Sequence, residues 1–159
     1  MLTPSHVATC TEGKIGPMNG PFELHPKLAA DTFVIGDLDL CRLLLMNDAQ
    51  YPWCILVPRR AGIREIYELE EADQVLLWRE SATLGRALMT AFDGTKLNVA
   101  ALGNVVPQLH LHHIVRFETD PAWPAPVWGK LPAKPYEDTE RRTFVQRLRP
   151  HLAVAPQQS

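Results

Sequence analysis

A chain of 159 residues, 46% hydrophobic and 21% charged, has the composition of one globular domain and the length to bury a sizeable core. Its formal net charge of −2 lacks the basic excess that binding an extended nucleic-acid backbone requires, yet leaves room for a small anionic ligand at a local site. No apolar run approaches the ~18 residues of a membrane span, and the first residues lack the basic-then-apolar order of a secretory signal. Cys10, Cys41 and Cys54 are an odd number without paired spacing. They read as reduced thiols of a cytoplasmic protein with no membrane partner.

Residues 1–21 mix polar residues with Pro4, Pro17, Pro21, Gly13, Gly16 and Gly20 and read as a loose N-terminal extension, in which His6 and Cys10 have no role. Patterning begins at Phe22, and the main domain is expected over 22–120. His25 to Asp31 reads as a short helix with Pro26 in the tolerant first turn. Thr32–Ile35 and Asp39–Met46 read as strands joined at Gly36-Asp37. Cys41 to Met46 is apolar almost throughout, as in a covered strand. Trp53–Val57 is a third strand, stopped by Pro58.

Over 65–92, Leu69, Ala72, Val75, Leu76, Leu84, Ala87, Leu88 and Phe92 recur at helical spacing and predict one long amphipathic helix. Asp93-Gly94 stops it. Lys96–Leu102 and Leu109–Phe117 are two further strands. Residues 121–159, part of the same domain, begin with a proline-rich segment carrying Trp123 and Trp128, read as a surface wrap. They continue into a helix over Glu137–Leu148. Strands, a long helix, then strands again predict an α+β domain. Its antiparallel sheet would have about five strands, with one long and one short helix.

Three of the six histidines fall within four residues, in Gln108-Leu109-His110-Leu111-His112-His113. A strand turns alternate side chains to opposite faces, so Gln108, His110 and His112 share one face and His113 takes the other, where a structural role is expected. His110 and His112 then lie ~6.6–6.8 Å apart along the strand. Neutral imidazole is a good nucleophile toward phosphorus, and a second imidazole can donate to phosphate oxygens. The same pair is also a chelating pair for a metal, and spacing alone leaves both roles open.

The run Gln108-Leu109-His110-Leu111-His112-His113-Ile114 resembles the histidine-triad (HIT) signature, His-φ-His-φ-His-φ-φ with φ apolar, here in a branch with glutamine at the first triad position. The resemblance extends to Leu97-Asn98-Val99-Ala100-Ala101-Leu102-Gly103-Asn104 upstream, to Leu44–Asp48 and to Ile55–Arg59. It covers roughly residues 22–117, with Arg116 where the family often carries a basic residue. It implies the HIT-like fold and a nucleotide hydrolase or transferase, of phosphoramidase or dinucleoside-polyphosphate hydrolase type. His110 would attack the α-phosphate to form a nucleotidyl-histidine intermediate that water resolves. His112 would contact the phosphate or leaving group, and Gln108 would complete the catalytic set. Asn47, or alternatively Asp48, would hold the ribose hydroxyls, and Asn98 and Asn104 would lie near the phosphate.

The resemblance further implies a small-molecule nucleotide substrate, a homodimer, and neither an organic cofactor nor a metal. The dimer contact is expected on apolar faces of the long helix and of the strand before it. Glutamine cannot change charge near neutral pH, so Gln108 implies an altered substrate preference. Two other readings compete: a non-catalytic nucleotide-binding module, and a cupin-type metal site on His110 and His112. Glu118 follows His112 by ~20 Å of strand, too far to share one coordination sphere.

Overall fold

The computed structural model describes residues 20–153; most of the expected N-terminal extension, with His6 and Cys10, lies outside the described residues. A helix α1 (Pro26–Asp31) leads into strand β1 (Thr32–Asp37), followed by β2 (Cys41–Met46), β3 (Trp53–Pro58), helix α2 (Glu71–Phe92), β4 (Lys96–Ala100), β5 (Leu111–Arg116) and helix α3 (Asp138–Leu148). The five strands form one antiparallel sheet in the order β1-β2-β3-β5-β4, which is the expected α+β architecture.

Local chemistry sets the element ends. Pro26 opens α1, and the His25 Nδ1 caps it by accepting from the Lys27 N–H at 3.2 Å. The long helix begins at Glu71, later than its pattern suggests, because Ile66–Glu68 forms a separate 3-10 turn closed by a Glu65–Glu68 capping box. Its buried face matches the expected one at Leu84, Ala87 and Leu88 and differs toward the N-terminal end, where Leu77 is fully buried and Val75 is 45% exposed. Asp93, in the left-handed region at φ 54°, ends the helix and returns its N–H to the Met89 carbonyl. Gly94 follows where a Cβ would lie 2.1 Å from Val115 Cγ1, so no larger residue fits beneath β5.

The sheet is covered on both faces. One face packs Leu43, Leu45, Leu56, Leu111 and Val115 against Leu77, Leu84 and Leu88 of α2 and Phe144 and Leu148 of α3. Buried Glu80 fixes α2 to the start of β2, its two carboxylate oxygens accepting from the N–H groups of Leu40 and Cys41 at 2.7 and 2.9 Å. The other face packs Leu44, Ile55, Val57 and Ile114 against Leu28 of α1 and against Val106, Ala122 and Val127 from the connecting segments. Ala122 and Val127 are buried against this face with Trp128 packed beside them, and Cys41 and Cys54 are buried free thiols. The strand before α2, β3, is central and buried throughout. Strand β4, at one edge of the sheet, is partly exposed. No described helix is long and apolar enough to cross a membrane.

Candidate functional site

The imidazoles of His110 and His112 come together on the sheet face away from α2. His110 is the residue before β5, and His112 is the second residue of the strand, paired with Ile55 and Ala100. Alternation sends Leu109, Leu111 and Val115 to the α2 face and Ile114 to the opposite one. The His110 and His112 rings lean toward each other, edge to face, with centroids 4.8 Å apart. That is closer than the spacing of their backbones along a strand, because the two rings tilt inward. Both are nearly buried, at 6% and 7% exposure.

Hydrogen bonds fix opposite tautomers on the pair. A carbonyl oxygen only accepts, so the 2.7 Å contact of His110 Nδ1 with the Gln108 carbonyl places the proton on Nδ1 and leaves Nε2 with its lone pair. The indole N–H of Trp53 donates to His112 Nδ1 at 3.0 Å, so the neutral ring carries its proton on Nε2. Burial pushes the His110 pKa below the imidazole range, aided by repulsion from His25 and opposed by the Gln108 carbonyl. Burial, with repulsion from His110 and His113, holds His112 down to about 3. Both rings are therefore neutral at cellular pH.

His113 takes the structural role. It is fully buried against α2, donating from Nδ1 to the Leu111 carbonyl at 3.2 Å and accepting the Ser81 hydroxyl at Nε2, 2.7 Å away. Burial lowers its pKa to about 4.

His110 and His112 line a cleft of about 300 Å³ that is open to solvent. Its walls are apolar and aromatic, with Leu28, Met46, Trp53, Ile55, Val106 and Trp128, and its polar groups include Lys27, Asp31, Thr32 and Asn104. This matches the general build of a small-ligand site. Lys27 and Asp31 pair at 2.8 Å across one turn of α1. A smaller hollow on the other side of His110 is bordered by Arg64, Glu65, Gly103 and Gln108.

Of the other expected site residues, only Asn104 lines the cleft. Gln108 is engaged by the N-terminal segment: its Oε1 accepts from the His25 N–H and its Nε2 donates to the Glu23 carbonyl, each at 2.9 Å. Asn47 and Asp48 turn away from the cleft and hold the segment before α3. Asn47 Oδ1 accepts from the Tyr136 N–H at 2.9 Å, and Asp48 Oδ1 from the Lys134 and Gln50 N–H groups at 3.2 and 3.1 Å. Asn98 Oδ1 accepts from Arg116 Nη1 at 2.8 Å. Arg116 is itself buried against Asp120, with bonds of 2.7 and 3.0 Å. Sequence reasoning missed Trp53 as the partner of His112. Its signal was its place on the same strand face as Ile55, opposite the histidine strand. Among the described residues, no three His, Cys, Asp or Glu side chains group as a metal-ligand set.

An antiparallel five-stranded sheet that seats two neutral imidazoles at the start of one central strand, over a ligand-sized cleft, defines the histidine-triad class of α+β domain. The HIT domain model matches residues 27–119, and the chain belongs to the HIT family. A histidine triad protein from Marinobacter aquaeolei VT8 is 56% identical, with a TM-score of 0.82 over 84% of this chain and 97% of that one. Histidine triad proteins from Sinorhizobium meliloti 1021 and Bradyrhizobium japonicum are 46% and 45% identical, with TM-scores of 0.81 and 0.82. The alignments cover 82% and 83% of this chain and 97% and 98% of theirs. No curated protein sequence matches the chain.

Proposed function

We propose that this chain is a hydrolase or transferase of nucleoside 5′-phosphate conjugates, working through a nucleotidyl intermediate on His110, in a HIT branch with glutamine at the first triad position. The observation that carries the reading is the tautomer of His110. With Nδ1–H held by the Gln108 carbonyl, Nε2 is the ring's one basic atom, and burial keeps it unprotonated. Its lone pair attacks the α-phosphorus, forming an N–P bond as the bond to the leaving group breaks. The leaving group departs with the bonding pair and takes a proton from solvent. Water then attacks phosphorus, gives up a proton to solvent and displaces His110 with its lone pair restored, releasing the nucleoside monophosphate. The Nε2–H of His112 donates to a phosphoryl oxygen in both steps. On this reading Asp31 and Asn104, polar groups of the cleft, meet the sugar hydroxyls.

The test is turnover of a panel of nucleoside phosphoramidates and dinucleoside polyphosphates by the parent protein and by His110→Ala. A loss of at least ~10³-fold is expected, the scale for removal of a covalent nucleophile. An alkaline denaturing quench, in which the N–P bond survives, followed by mass spectrometry should trap a nucleotidyl adduct on His110. Equal rates in the two proteins would end the assignment.

The chain acts as a homodimer in the cytoplasm on this reading. Support for the dimer comes from the β4 edge and an apolar groove beside it, between Trp78 and Met89 of α2 and Leu97 and Val99 of β4. Trp78 is 51% exposed and Val99 42%, an apolar surface suited to a twofold contact.

A further inference from the structure

The residues that line the cleft divide by depth. Its floor is buried and includes His110, His112, Trp53, Ile55, Leu28 and Val106. Its mouth has two rims. One belongs to α1 and is charged, with Lys27 and Asp31 paired to each other. The other is the loop between β4 and β5, which turns at Gly103, in the left-handed region at φ 66°. This second rim is apolar, for Leu102 is 45% exposed and Val105 76%. Lone exposed apolar residues are ordinary, but two on one short loop at the lip of a cleft mark a contact surface.

Displacement at phosphorus supplies an occupant. The attacking and leaving atoms stand in line, so a group attacked from the floor departs on the opposite side, toward the mouth. With the sugar on Asp31 and Asn104, the part of the mouth left over is Leu102 and Val105. Leu102 and Gly103 also border the smaller hollow on the other side of His110, so this rim adjoins the nucleophile. Charge points the same way. Lys27 is neutralised by Asp31 at 2.8 Å, and the two charged residues of the hollow, Arg64 and Glu65, are of opposite sign. A polyphosphate leaving group would set several negative charges against aliphatic side chains, with no surplus of cations to meet them.

We propose that Leu102 and Val105 form the leaving-group subsite and that it takes an apolar amine, so that the substrate is a nucleoside 5′-phosphoramidate of an amine bearing a hydrocarbon chain or ring. The amine departs over this rim with the P–N bonding pair and takes a proton from solvent, while His110 Nε2 forms the new bond to phosphorus. The proposal rests on the reading of the cleft as a nucleotide site.

The test holds the nucleotide constant and varies the amine. Adenosine 5′-phosphoramidates of methylamine and hexylamine have leaving groups of nearly equal basicity that differ in apolar length. In the parent protein kcat/KM is expected to favour the hexyl conjugate by roughly 10- to 100-fold, the scale for partly burying a few methylenes. The double variant Leu102→Ser, Val105→Ser, altered only at exposed positions, should cut that ratio to about threefold or less. Binding gives a readout without turnover. Adenosine 5′-hexylphosphonate, whose P–C bond is not cleaved, should bind the parent more tightly than the methylphosphonate and shift the methyl resonances of Leu102 and Val105. Equal kcat/KM for the two conjugates, or a hexyl preference that survives in the double variant, would overturn the proposal. So would a preference for the 3-aminopropionate conjugate over the butylamine one, which would give the leaving group to Arg64. The two readings fail separately. A parent that turns over neither conjugate yet binds the hexylphosphonate more tightly ends the hydrolase reading and leaves the apolar subsite standing. Turnover that is lost in His110→Ala, with no hexyl preference in the parent, ends the subsite alone.

Discussion

Trp53 holds His112 in one tautomer. Its indole N–H stands 3.0 Å from Nδ1, and the ring lies 5.5 Å from the imidazole, edge to face. An indole nitrogen only donates, so this contact directs the His112 proton to Nε2. Trp53→Phe preserves an aromatic ring and deletes the donor. The His112 imidazole should then exchange between tautomers, visible in its ¹⁵N shifts, and kcat/KM for the best phosphoramidate should fall about tenfold, the scale of one hydrogen bond. An unchanged tautomer and an unchanged rate would show that Trp53 only packs.

Gln108 separates two jobs that share one residue. Its main chain orients His110, and its side chain clamps residues 23–25 through two bonds of 2.9 Å. Gln108→Ala retains the first and loses the second. Folding stability should drop by roughly 1–3 kcal/mol, measured by urea titration, and turnover should stay within about tenfold of the parent. A collapse of activity to the level of His110→Ala would instead place the side chain in the chemistry.

The sheet and the histidine pair were legible because both follow from short periods. Two-residue alternation put His110 and His112 on one face and His113 on the other, and the structure keeps that division. The surroundings of Asn47 and Asp48 were not legible. The faces taken by Asn47 and Asp48 depend on backbone groups 86 to 89 residues away, at Lys134 and Tyr136, and local pattern carries no trace of them. The same holds for the partners of Arg116, which its place after the motif does not reveal. Its guanidinium is spent on Asp120, Asn98 and the Ala125 carbonyl. The long helix was legible at Leu84, Ala87 and Leu88, which are buried as the spacing predicts, while its start was not, because the 3-10 turn at Ile66–Glu68 precedes it.

Acid should destabilise the fold through its buried imidazoles. The pKa values of His112 and His113 fall to about 3 and about 4, against an unfolded value near ~6.5. The unfolded chain binds the extra protons, so stability rises with pH across this window. It is fully present above about pH 6.5 and is lost as pH falls toward the folded values. Urea midpoints should decline from about pH 6.5 downward, and His113→Gln should flatten that slope. Catalysis should depend on pH with the same sign. The free base of His110 is the nucleophile, and its lowered pKa predicts a rate that is level above neutrality and falls only on the acid side. A rate still climbing above pH 7 would contradict a buried, neutral His110.

Arg116 and Asp120 form a buried ion pair, with side chains 2% and 3% exposed. Against the cost of burial, which pushes it up, the Arg116 guanidinium and the N–H groups of Phe117 and Ala122 hold the Asp120 carboxyl below the usual range. Removing one partner strands the other charge in the interior, which costs about 3–5 kcal/mol. Asp120→Ala should lower stability by about that amount and free the segment that carries Trp128, weakening AMP binding as well. A variant as stable as the parent would mean that Arg116 finds water or another acceptor.

The proposed dimer makes the last prediction. Trp78 on α2 and Val99 on β4 are 51% and 42% exposed and line one groove. A charge placed at the centre of an apolar contact would be desolvated on association and left without a partner. Trp78→Glu should therefore convert a dimer, measured by light scattering, into a monomer. Trp78 is half exposed and distant in sequence from the histidine strand, so the monomer should retain its fold by circular dichroism. Because the cleft lies on the sheet face away from α2, the monomer should also bind AMP with near-parent affinity. A parent protein that is already monomeric, or a Trp78→Glu variant that stays dimeric, would move the contact elsewhere.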